Sequence, residues 1–252
     1  MPARNVTLSV VSHRQNALVN QLLEDIQRHC ADRVALILTE NLPDPTPLAT
    51  GALSCPVERI ANARVKGFGA NRNAAFRHCR SPYFCVVNPD IRLPADPFPS
   101  LIPNFDDQAV AAVGPLVRSP AGTIEDSARR FPTAGALLKK ILVERRQPDY
   151  PADQGPLKVD WVAGMFMLFR SDAYRSVGGF DEAYFLYYED VDICHRLRGG
   201  GAAVIFEPRA EAIHDARRAS RRDLRLARHH VAGIFRFLWR RRWQRGGSGS
   251  AA

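Results

Sequence analysis

The sequence predicts an α/β protein built on a doubly wound, mostly parallel sheet with helices on both faces, followed by a basic C-terminal helical tail. Two features of its 252 residues support this prediction. Short apolar runs typical of buried strands alternate with segments whose apolar residues recur at helical spacing. Arginines are then concentrated after the last apolar run, within residues 216–245.

The first half of the chain shows the alternation most clearly. Segments of strand character are NVTLSVVS, RVALILTE, VERIAN and YFCVVNPDI, and the helical segments are NALVNQLLEDIQRHC and GFGANRNAAFRHC. Strands and helices in this order predict parallel strands joined by crossover helices. Because ligands of such sheets bind beyond the carboxyl ends of the strands, we expect a binding site where these runs end.

The second half is less regular. We predict a strand at AVAAVGPLV, a loop running into an amphipathic helix at DSARRFPTAGALLKKILVERR, and a strand, short helix and Gly-Gly turn at VDWVAGMFMLFRSDAYRSVGGF. A helix follows at DICHRLRGGG and a last strand at AAVIFEP. The predicted organisation is one domain over 1–215, a basic amphipathic helical tail over 216–245, and a flexible linker or cloning remnant over 246–252.

The net charge of +9 is unevenly distributed. Residues 216–245 hold eleven arginines and one acid, which leaves 24 of the 35 basic and 25 of the 26 acidic residues for the rest of the chain. The positive excess belongs to the tail and does not make the whole protein a nucleic-acid binder. The five cysteines show no CxxC spacing, which favours reduced, buried thiols. No apolar run approaches the roughly 20 residues of a membrane span, so we expect a cytoplasmic protein.

The strand YFCVVNPDI ends in Asn88, Pro89 and Asp90. Pro89 halts the hydrogen-bond ladder and leaves one amide and one carboxylate at the edge of the sheet. A single carboxylate can serve Mg²⁺ or Mn²⁺, which keep several waters and take further ligands from a substrate diphosphate. An Asx-type turn without a function is the alternative.

The stretch KGFGANRN opens a helix with two glycines, Gly67 and Gly69. Glycines permit close approach of the backbone, and free N–H groups at a helix start can bind a phosphate. The spacing matches neither a dinucleotide fingerprint nor a Walker A loop. A single Gly-x-Gly is therefore weak support for a phosphate site.

The stretch FLYYEDVDICHRL places three acids directly after a run of aromatic residues. If a helix begins near Glu189, Asp192 and Arg196 form an i,i+4 pair on a solvated face. Asp190 lies instead on the apolar side, where desolvation raises the pKa of a carboxyl group and makes it a better proton acceptor. Acids in a first helical turn also suit the helix dipole without any catalytic role. His214 follows the last strand, and a lone histidine is more often a core or surface residue than a ligand.

Taken in order, GFGANRN, NPD, the block from Asp160 to Gly201 and the histidine that follows it resemble the inverting glycosyltransferases of family 2, in particular the bacterial rhamnosyltransferase-like branch. The resemblance covers about residues 6–216. It implies a single GT-A domain with a nucleotide-binding half and an acceptor-binding half. It also implies transfer of a sugar, first L-rhamnose from dTDP-rhamnose and next a UDP-linked hexose, to a glycan or lipid-linked acceptor of bacterial surface polysaccharide synthesis.

The resemblance assigns the metal and nucleotide sites. Asp90 stands in the position of the DxD motif and would hold Mg²⁺ or Mn²⁺ on the donor diphosphate, with His214 completing the metal shell. Asn88 departs from the usual acid, and Glu40 from the usual Asp that contacts the nucleobase. The residues implied in nucleotide and donor binding are Ser12, His13, Arg14, Glu40, Asn41, Gly67, Phe68, Gly69, Asn73, Asn88 and Asp90.

The resemblance also assigns the catalytic and acceptor sites. Glu189 and Asp190 match the acidic pair of the family, in which the Asp is the base. Asp190 would remove a proton from the acceptor hydroxyl, whose oxygen attacks the anomeric carbon with inversion as the nucleoside diphosphate leaves. The residues implied in sugar and acceptor binding are Trp161, Ala163, Gly164, Tyr187 and Tyr188.

The tail segment RRDLRLARHHVAGIFRFLWRRRW carries apolar residues among its arginines. Five of them fall along one predicted stripe: Leu224, Val231, Ile234, Phe235 and Leu238. A basic amphipathic helix of this kind binds an anionic membrane surface, and residues 221–245 are the candidate segment. Packing of the stripe on the domain or on a second subunit is the alternative.

Three other classes of function fit parts of the sequence. A nucleotidyltransferase that forms nucleotide sugars shares the sheet and the metal, but it needs a Gly-rich loop with Arg and Lys after the first strand, where SHRQNALV stands. A nucleic-acid-binding protein would act through the arginines alone and leave the sheet-edge residues without a role, so we expect no specific nucleic-acid partner. A glycan-binding relative without catalysis is disfavoured by Asp90 and Asp190.

Overall fold

The computed structural model describes residues 4–133, 148–215 and 224–246 and, within the last of these ranges, the side chains of 228–240. Three predictions fall outside the described residues. They are the helical part of the segment 126–146, the start of the basic tail at 216–223, and nearly all of the linker at 246–252.

The regular segments predicted within the described residues are found, except that the single strand predicted over 159–170 is divided. The strands are β1 (Val6–His13), β2 (Val34–Leu42), β3 (Val57–Ala61), β4 (Tyr83–Val87), β5 (Ile91–Arg92), β6 (Val110–Arg118), β7 (Ala128–Arg129), β8 (Leu157–Val159), β9 (Trp161–Val162), β10 (Phe166–Arg170) and β11 (Ala203–His214). The helices are α1 (Asn16–His29), α2 (Phe68–Phe76), α3 (Phe98–Leu101), α4 (Ser171–Ser176), α5 (Glu189–Gly199) and α6 (Leu224–Gly246), with 3-10 helices at Thr50–Ala52 and Ile102–Asp106. The short elements β5, β7 and α3 and the two 3-10 helices had no periodic signal in the sequence.

The central sheet has the strand order β3-β2-β1-β4-β10-β6-β11-β5, with β8 paired to β11. Its first four strands are mutually parallel, as the alternation predicted. β10 then runs antiparallel between β4 and β6, and β11 pairs parallel with β6. The carboxyl ends of β1, β2 and β4 therefore share one edge with the amino end of β10, which confirms the α/β fold class and fixes where a site can form.

The core lies on both faces of this sheet. α1 buries the four apolar residues whose helical spacing predicted it: Leu18, Leu22, Leu23 and Ile26. Successive residues of β4 point to opposite faces, with Cys85 in the cluster under α1 and Phe84 in the cluster under α2, α4 and α5. All five cysteines are free and buried, as expected of core thiols.

Residues 159–170, predicted as a single strand, instead form β9 and β10 and the end of β8. The chain turns at 163–165, where the Ala163 N–H donates a 2.8 Å hydrogen bond to the Ser127 carbonyl. β9 thereby pairs with β7 in a second, two-stranded sheet. Apolar content cannot reveal this break, because residues on both sides of the turn are buried.

α6 packs on the domain with one side only. Phe237 is buried and Ile234 and Leu238 are half-buried, whereas Val231 and Phe235 are exposed. The single stripe predicted for the tail is therefore wrong: its members point to two sides of the helix, and the side chain of Leu224 lies outside the described residues.

No helix in the described ranges is long and apolar enough to cross a membrane.

Candidate active site

Four chain segments meet at the edge formed by the parallel strands. They are the ends of β1 and β2, residues 88–90 after β4, and the turn at 163–165 together with the start of α5. The turn is joined to residues 88–90 by a 2.9 Å hydrogen bond that the Asn88 N–H donates to Met165 O. It is joined to the start of α5 by a 2.9 Å hydrogen bond that the Gly164 N–H donates to Asp190 Oδ2. The topology thus brings Asp90, Gly164 and Asp190 to the same side of the sheet.

Asp190 lies in the first turn of α5 and is held by two backbone donors. Besides the Gly164 bond to Oδ2, the Val191 N–H donates to Oδ1 at 2.8 Å. The side chain keeps partial contact with solvent. Burial raises the pKa of Asp190 above its usual 3.8, although both N–H groups oppose the rise. Since each carboxylate oxygen retains a second lone pair, Asp190 can still accept a proton.

Glu189 is the more deeply buried carboxyl of the pair, with only 4% of its surface exposed. Its Oε2 has no hydrogen-bond partner. Burial, followed by repulsion from Asp190, raises the pKa of Glu189 well above its usual 4.5. Neighbouring carboxyls whose environments differ in this way take different protonation states, and Asp190 is the one that ionises more readily. The sequence predicted a desolvated environment for Asp190, but it did not predict one for Glu189.

A strained turn precedes α5. Tyr187 and Tyr188 have φ angles of 71° and 73°, in the left-handed region that bulky residues rarely adopt. Tyr188 is buried under α6, and its role in an acceptor surface stays a prediction. Tyr187 is half-buried and Phe185 is 45% exposed, so these two rings remain accessible.

Asp192 and Arg196 form the predicted i,i+4 pair, but it is not on a solvated face. Asp192 is 4% exposed, and the Arg196 Nε–H donates to its Oδ2 at 2.7 Å. The remaining Arg196 donors bind the carbonyls of Val177 and Gly179. This arginine therefore ties the Gly-Gly turn to α5, and the pair is part of the internal structure.

His214 is the last residue of β11 and lies between two carboxylates. Its Nε2 is 3.3 Å from Asp90 Oδ2, and its Nδ1 is 2.6 Å from Glu125 Oε2. Burial opposes the charged form of the imidazole, but the two carboxylates outweigh it and raise the pKa of His214 to about 9. The convergence of Asp90 and His214 agrees with the resemblance, whereas Glu125 had no signal in the sequence.

The residues around Asp90 fit a divalent cation that is partly held by a substrate. Asp90 Oδ1 is buried without a hydrogen-bond partner. The groups that could ligate a metal here are the Asp90 carboxylate and the neighbouring His214 imidazole. Among the described residues, no group of three or more His, Cys, Asp and Glu side chains has metal-site geometry. Mg²⁺ and Mn²⁺ need few protein ligands when diphosphate oxygens supply the others.

Arg72 is a buried cation that the sequence did not single out. It is 1% exposed, and its guanidinium donates to Ser9 O at 2.7 Å, Val87 O at 3.0 Å and Asn88 Oδ1 at 3.3 Å. Burial lowers the pKa of Arg72 to about 10, so it remains charged at neutral pH. Positive charge is thereby fixed directly behind Asn88, which was expected to face the donor.

Ser12 and Asn41 are committed to internal hydrogen bonds. The Ser12 hydroxyl donates to Asn16 Oδ1 at 2.5 Å and accepts from the Gln15 N–H, at the start of α1. Asn41 donates to Lys66 O at 2.9 Å and accepts from the Lys66 N–H at 2.9 Å. Each side chain thereby holds a loop beside the site, and its contact with the donor stays a prediction.

The other predicted residues at the ends of β1 and β2 are more accessible. His13 and Arg14 are exposed, and Arg14 has a left-handed φ of 58°. Glu40 is partly exposed and pairs with Arg59 at 2.8 Å. These three remain the candidates for contact with the nucleotide.

The glycine loop packs against protein rather than opening toward a phosphate. A Cβ at Gly67 would lie 2.6 Å from Phe185 O, and one at Gly69 would lie 2.8 Å from Phe180 Cβ. The Phe68 N–H, one of the free donors expected at this helix start, bonds to Phe185 O at 2.8 Å. The glycines therefore allow α2 to meet the segment that leads into α5, and the phosphate role of this loop stays a prediction.

Asn73 has no hydrogen-bonding capacity left for a donor. Its Oδ1 accepts from the Tyr174 hydroxyl at 2.7 Å and the Phe180 N–H at 2.9 Å, and its amide donates to Phe180 O and Glu182. All four hydrogen-bonding positions of the amide bind within the protein, and contact of Asn73 with the donor stays a prediction.

Trp161 and Ala163 belong to the segment that leads into Gly164, and both are buried. Trp161 is 8% exposed; its Nε1–H donates to Arg130 O at 3.0 Å, and the Arg129 guanidinium lies 5.4 Å from its ring centroid. Within this segment, the residue with a hydrogen bond to Asp190 is Gly164. Contact of Trp161 and Ala163 with sugar remains a prediction.

An α/β sheet that gathers an Asp-His pair and an acidic pair at the carboxyl edge of its parallel strands has the architecture of the GT-A glycosyltransferases. The profile described as "Glycosyltransferase like family 2" matches residues 2–234, and the chain belongs to this family. Membership disfavours the nucleotidyltransferase alternative.

Two bacterial relatives extend over most of the chain. Rhamnosyltransferase WbbL of Escherichia coli is 29% identical over 249 residues, which are 94% of this chain and 94% of the relative. The N-acetylglucosaminyl-diphospho-decaprenol L-rhamnosyltransferase of Mycobacterium tuberculosis is 29% identical over 78% of this chain and 72% of the relative.

Two solved structures share the fold at low sequence identity. GalNAc-T7 with UDP, GalNAc and Mn²⁺ matches 84% of this chain with a TM-score of 0.63 and 13% identity. The mannosyltransferase PcManGT from Pyrobaculum calidifontis, in complex with GDP-Man and Mn²⁺, matches 85% with a TM-score of 0.59 and 15% identity. The chain spans 44% and 58% of these two chains, and the likeness shows the fold alone.

Proposed function

We propose that the chain is an inverting glycosyltransferase that transfers L-rhamnose from dTDP-rhamnose to a glycan or lipid-linked glycan in bacterial surface polysaccharide synthesis. The observation that carries the proposal is the match to the Escherichia coli rhamnosyltransferase over 94% of both chains. The position and raised pKa of Asp190 support the chemistry. A UDP-linked hexose is the alternative donor.

The reaction is a single displacement. Asp190 accepts the proton of the acceptor hydroxyl, and that oxygen forms the new bond to the anomeric carbon. The bond from this carbon to the donor diphosphate breaks on the opposite side, so the nucleoside diphosphate leaves with the electron pair and the configuration inverts. A general base of this kind contributes about 10²–10⁴ in rate. Glu189 ionises less readily, which leaves the negative charge on Asp190.

Asp90 and His214 would hold Mg²⁺ or Mn²⁺ together with donor oxygens and water. When bound, such a cation stabilises the negative charge of a departing diphosphate. Arg72 adds a fixed positive charge behind Asn88, close to the same edge of the sheet. His13 and Arg14 supply exposed groups at the end of β1 for the nucleotide.

The protein is further proposed to work at the cytoplasmic face of the membrane, where a lipid-linked acceptor is available. Val231, Phe235 and Trp239 are 51%, 71% and 67% exposed and recur every four residues, so they share one side of α6. α6 carries seven arginines and no acid. Exposed apolar rings flanked by arginine suit the interface of an anionic bilayer.

The test of the donor is a thermal-shift series with dTDP, UDP, GDP and their sugars, each with and without Mn²⁺. Stabilisation by dTDP ligands that depends on the metal supports the proposal, because a ligand bound only by the folded state raises Tm. Selective stabilisation by UDP ligands replaces dTDP-rhamnose with a UDP-sugar. No shift from any nucleotide on folded protein contradicts transferase function. Transfer to an N-acetylglucosaminyl-diphospho-polyprenol, with the anomeric configuration read by NMR, then tests acceptor and inversion.

A further inference from the structure

α6 covers the turn that leads into the catalytic helix. The ring of His229 stacks on Phe185 with 5.0 Å between centroids. The ring of His230 lies 5.4 Å from the ring of Tyr187 and 5.4 Å from that of Tyr188. Two consecutive residues of α6 therefore contact three of the four aromatic side chains that precede Glu189.

Gly233 is the point of closest approach between α6 and the turn. A Cβ at this position would lie 3.0 Å from Tyr187 O and 3.1 Å from Tyr188 Cβ. A side chain larger than hydrogen would have to displace either the helix or the turn. One helical turn further, the buried ring of Phe237 lies 6.1 Å from that of Tyr188.

Ion pairs fix α6 beside these contacts. Arg236 and Arg240 bind Asp181 Oδ2 at 3.2 Å and 2.5 Å, and Arg240 also lies 3.5 Å from Asp192 Oδ1. Asp181 precedes the turn and Asp192 follows it. α6 is thereby attached to the chain on both sides of Tyr187 and Tyr188.

The turn needs such support because of its backbone conformation. Consecutive left-handed tyrosines are strained, and strain of this kind persists only where the surrounding structure imposes it. We propose that α6 imposes this conformation and acts as the positioning element of the catalytic pair. His230 and Gly233 are then positioning residues that touch no reacting atom. This inference rests on the proposed role of Asp190 as the base.

Relaxation of the turn would change the direction in which α5 starts. Asp190 follows Tyr188 by two residues, and its carboxylate is aimed by the Gly164 hydrogen bond. A rotation of the first turn of α5 would lengthen that bond and move the base away from the acceptor. Misplacement of a catalytic group by about 1 Å costs about 10² in rate, while donor binding at the ends of β1 and β2 is untouched.

The test compares Gly233→Val with the matched control Ala232→Val, which adds bulk at the adjacent, exposed position of the same helix. His230→Ala removes the ring contacts with Tyr187 and Tyr188 without adding bulk. It is the second test variant, which keeps the inference testable if Gly233→Val fails to fold. For each folded full-length variant we would measure kcat and donor KM with dTDP-rhamnose and an N-acetylglucosaminyl-diphospho-polyprenol, and amide hydrogen exchange of residues 185–192.

We expect Gly233→Val to lower kcat by about 10² and His230→Ala by about tenfold, with donor KM within about twofold of wild type, because the defect lies in orientation and not in binding. Exchange at 185–192 should rise by about tenfold in both variants and stay unchanged in Ala232→Val. Exchange that does not exceed the control overturns the inference, as does an unchanged kcat. If the wild type transfers no sugar, the proposed function fails, and the exchange measurement alone decides whether α6 holds the turn.

Discussion

The Gly164 N–H lies 2.9 Å from Asp190 Oδ2, so the turn between β9 and β10 aims the carboxylate at the start of α5. Two residues 26 positions apart in sequence thus form one unit of the site. This contact depends on the antiparallel insertion of β10 beside β4, which places Gly164 beyond the carboxyl ends of the parallel strands.

Asp190→Asn is expected to lower kcat by about 10²–10⁴, because the amide cannot act as a general base. Both oxygens of Asp190 accept N–H groups, so the Asn NH₂ would face one of these donors and Tm should fall slightly. Steady-state kinetics with a donor titration measure the effect. Asp172→Asn, at a carboxylate exposed to solvent, is the matched control. Near-normal turnover of Asp190→Asn would transfer the role of base to Glu189.

Glu189→Gln is expected to make the stability of the protein less sensitive to pH. The folded-state pKa of Glu189 is raised above 4.5, so its contribution to stability is fully present below pH 4.5 and is lost as the pH rises through the folded value. The variant lacks this loss, and its Tm relative to wild type should increase between pH 4.5 and 8. Thermal unfolding across this range checks the sign, with the exposed Glu24→Gln as control. A constant difference between variant and wild type would show that Glu189 does not titrate in this way.

Asn73→Asp is expected to destabilise the fold without removing donor binding. The new carboxylate would face Phe180 O and Glu182 where the amide now donates, at a cost of about 1–3 kcal/mol. Denaturant unfolding measures the loss, and the nucleotide thermal shift should persist. Asp90→Asn, in contrast, should leave the fold stable but abolish the part of the nucleotide thermal shift that depends on the metal. If Asn73→Asp removed nucleotide binding from a stable protein, that result would support the predicted contact of Asn73 with the donor.

The contrast between Asn73 and Asp90 shows what could be predicted from the sequence. Strand and helix segments follow from apolar periodicity, and Asp190 follows from an acid placed after aromatics, because both are local patterns. The uses of Gly67, Asn41 and Asn73 depend on partners from distant segments, which local patterns do not contain. Arg72 and Glu125 lack a local signal for the same reason: their partners lie on strands brought together only by the fold.

Arg72→Met is expected to cost about 3 kcal/mol, because it removes charged hydrogen bonds and leaves buried carbonyls without that donor. Those carbonyls belong to Ser9 and Val87, on the two neighbouring strands β1 and β4. Arg72→Lys keeps the charge but not the planar geometry, so it should recover only part of the stability. Denaturant unfolding of the three proteins tests this order. Equal free energies of unfolding for Arg72→Met and Arg72→Lys would show that the positive charge at this position does not stabilise the fold.

Phe235→Asp is expected to weaken binding to anionic vesicles by at least about tenfold, because it replaces an exposed apolar ring by a charge of the same sign as the lipid. Phe235 is 71% exposed, so the fold should be unaffected and transfer to a soluble acceptor should continue. Flotation with vesicles of phosphatidylglycerol and phosphatidylcholine measures binding, and Phe235→Leu, which stays apolar, is the control. Binding that both variants retain would assign attachment to the arginines alone, whereas wild-type protein that does not float would remove the membrane from the proposed function. The other side of α6 holds Tyr188, so a defect confined to vesicles would also show that the two sides of this helix act independently.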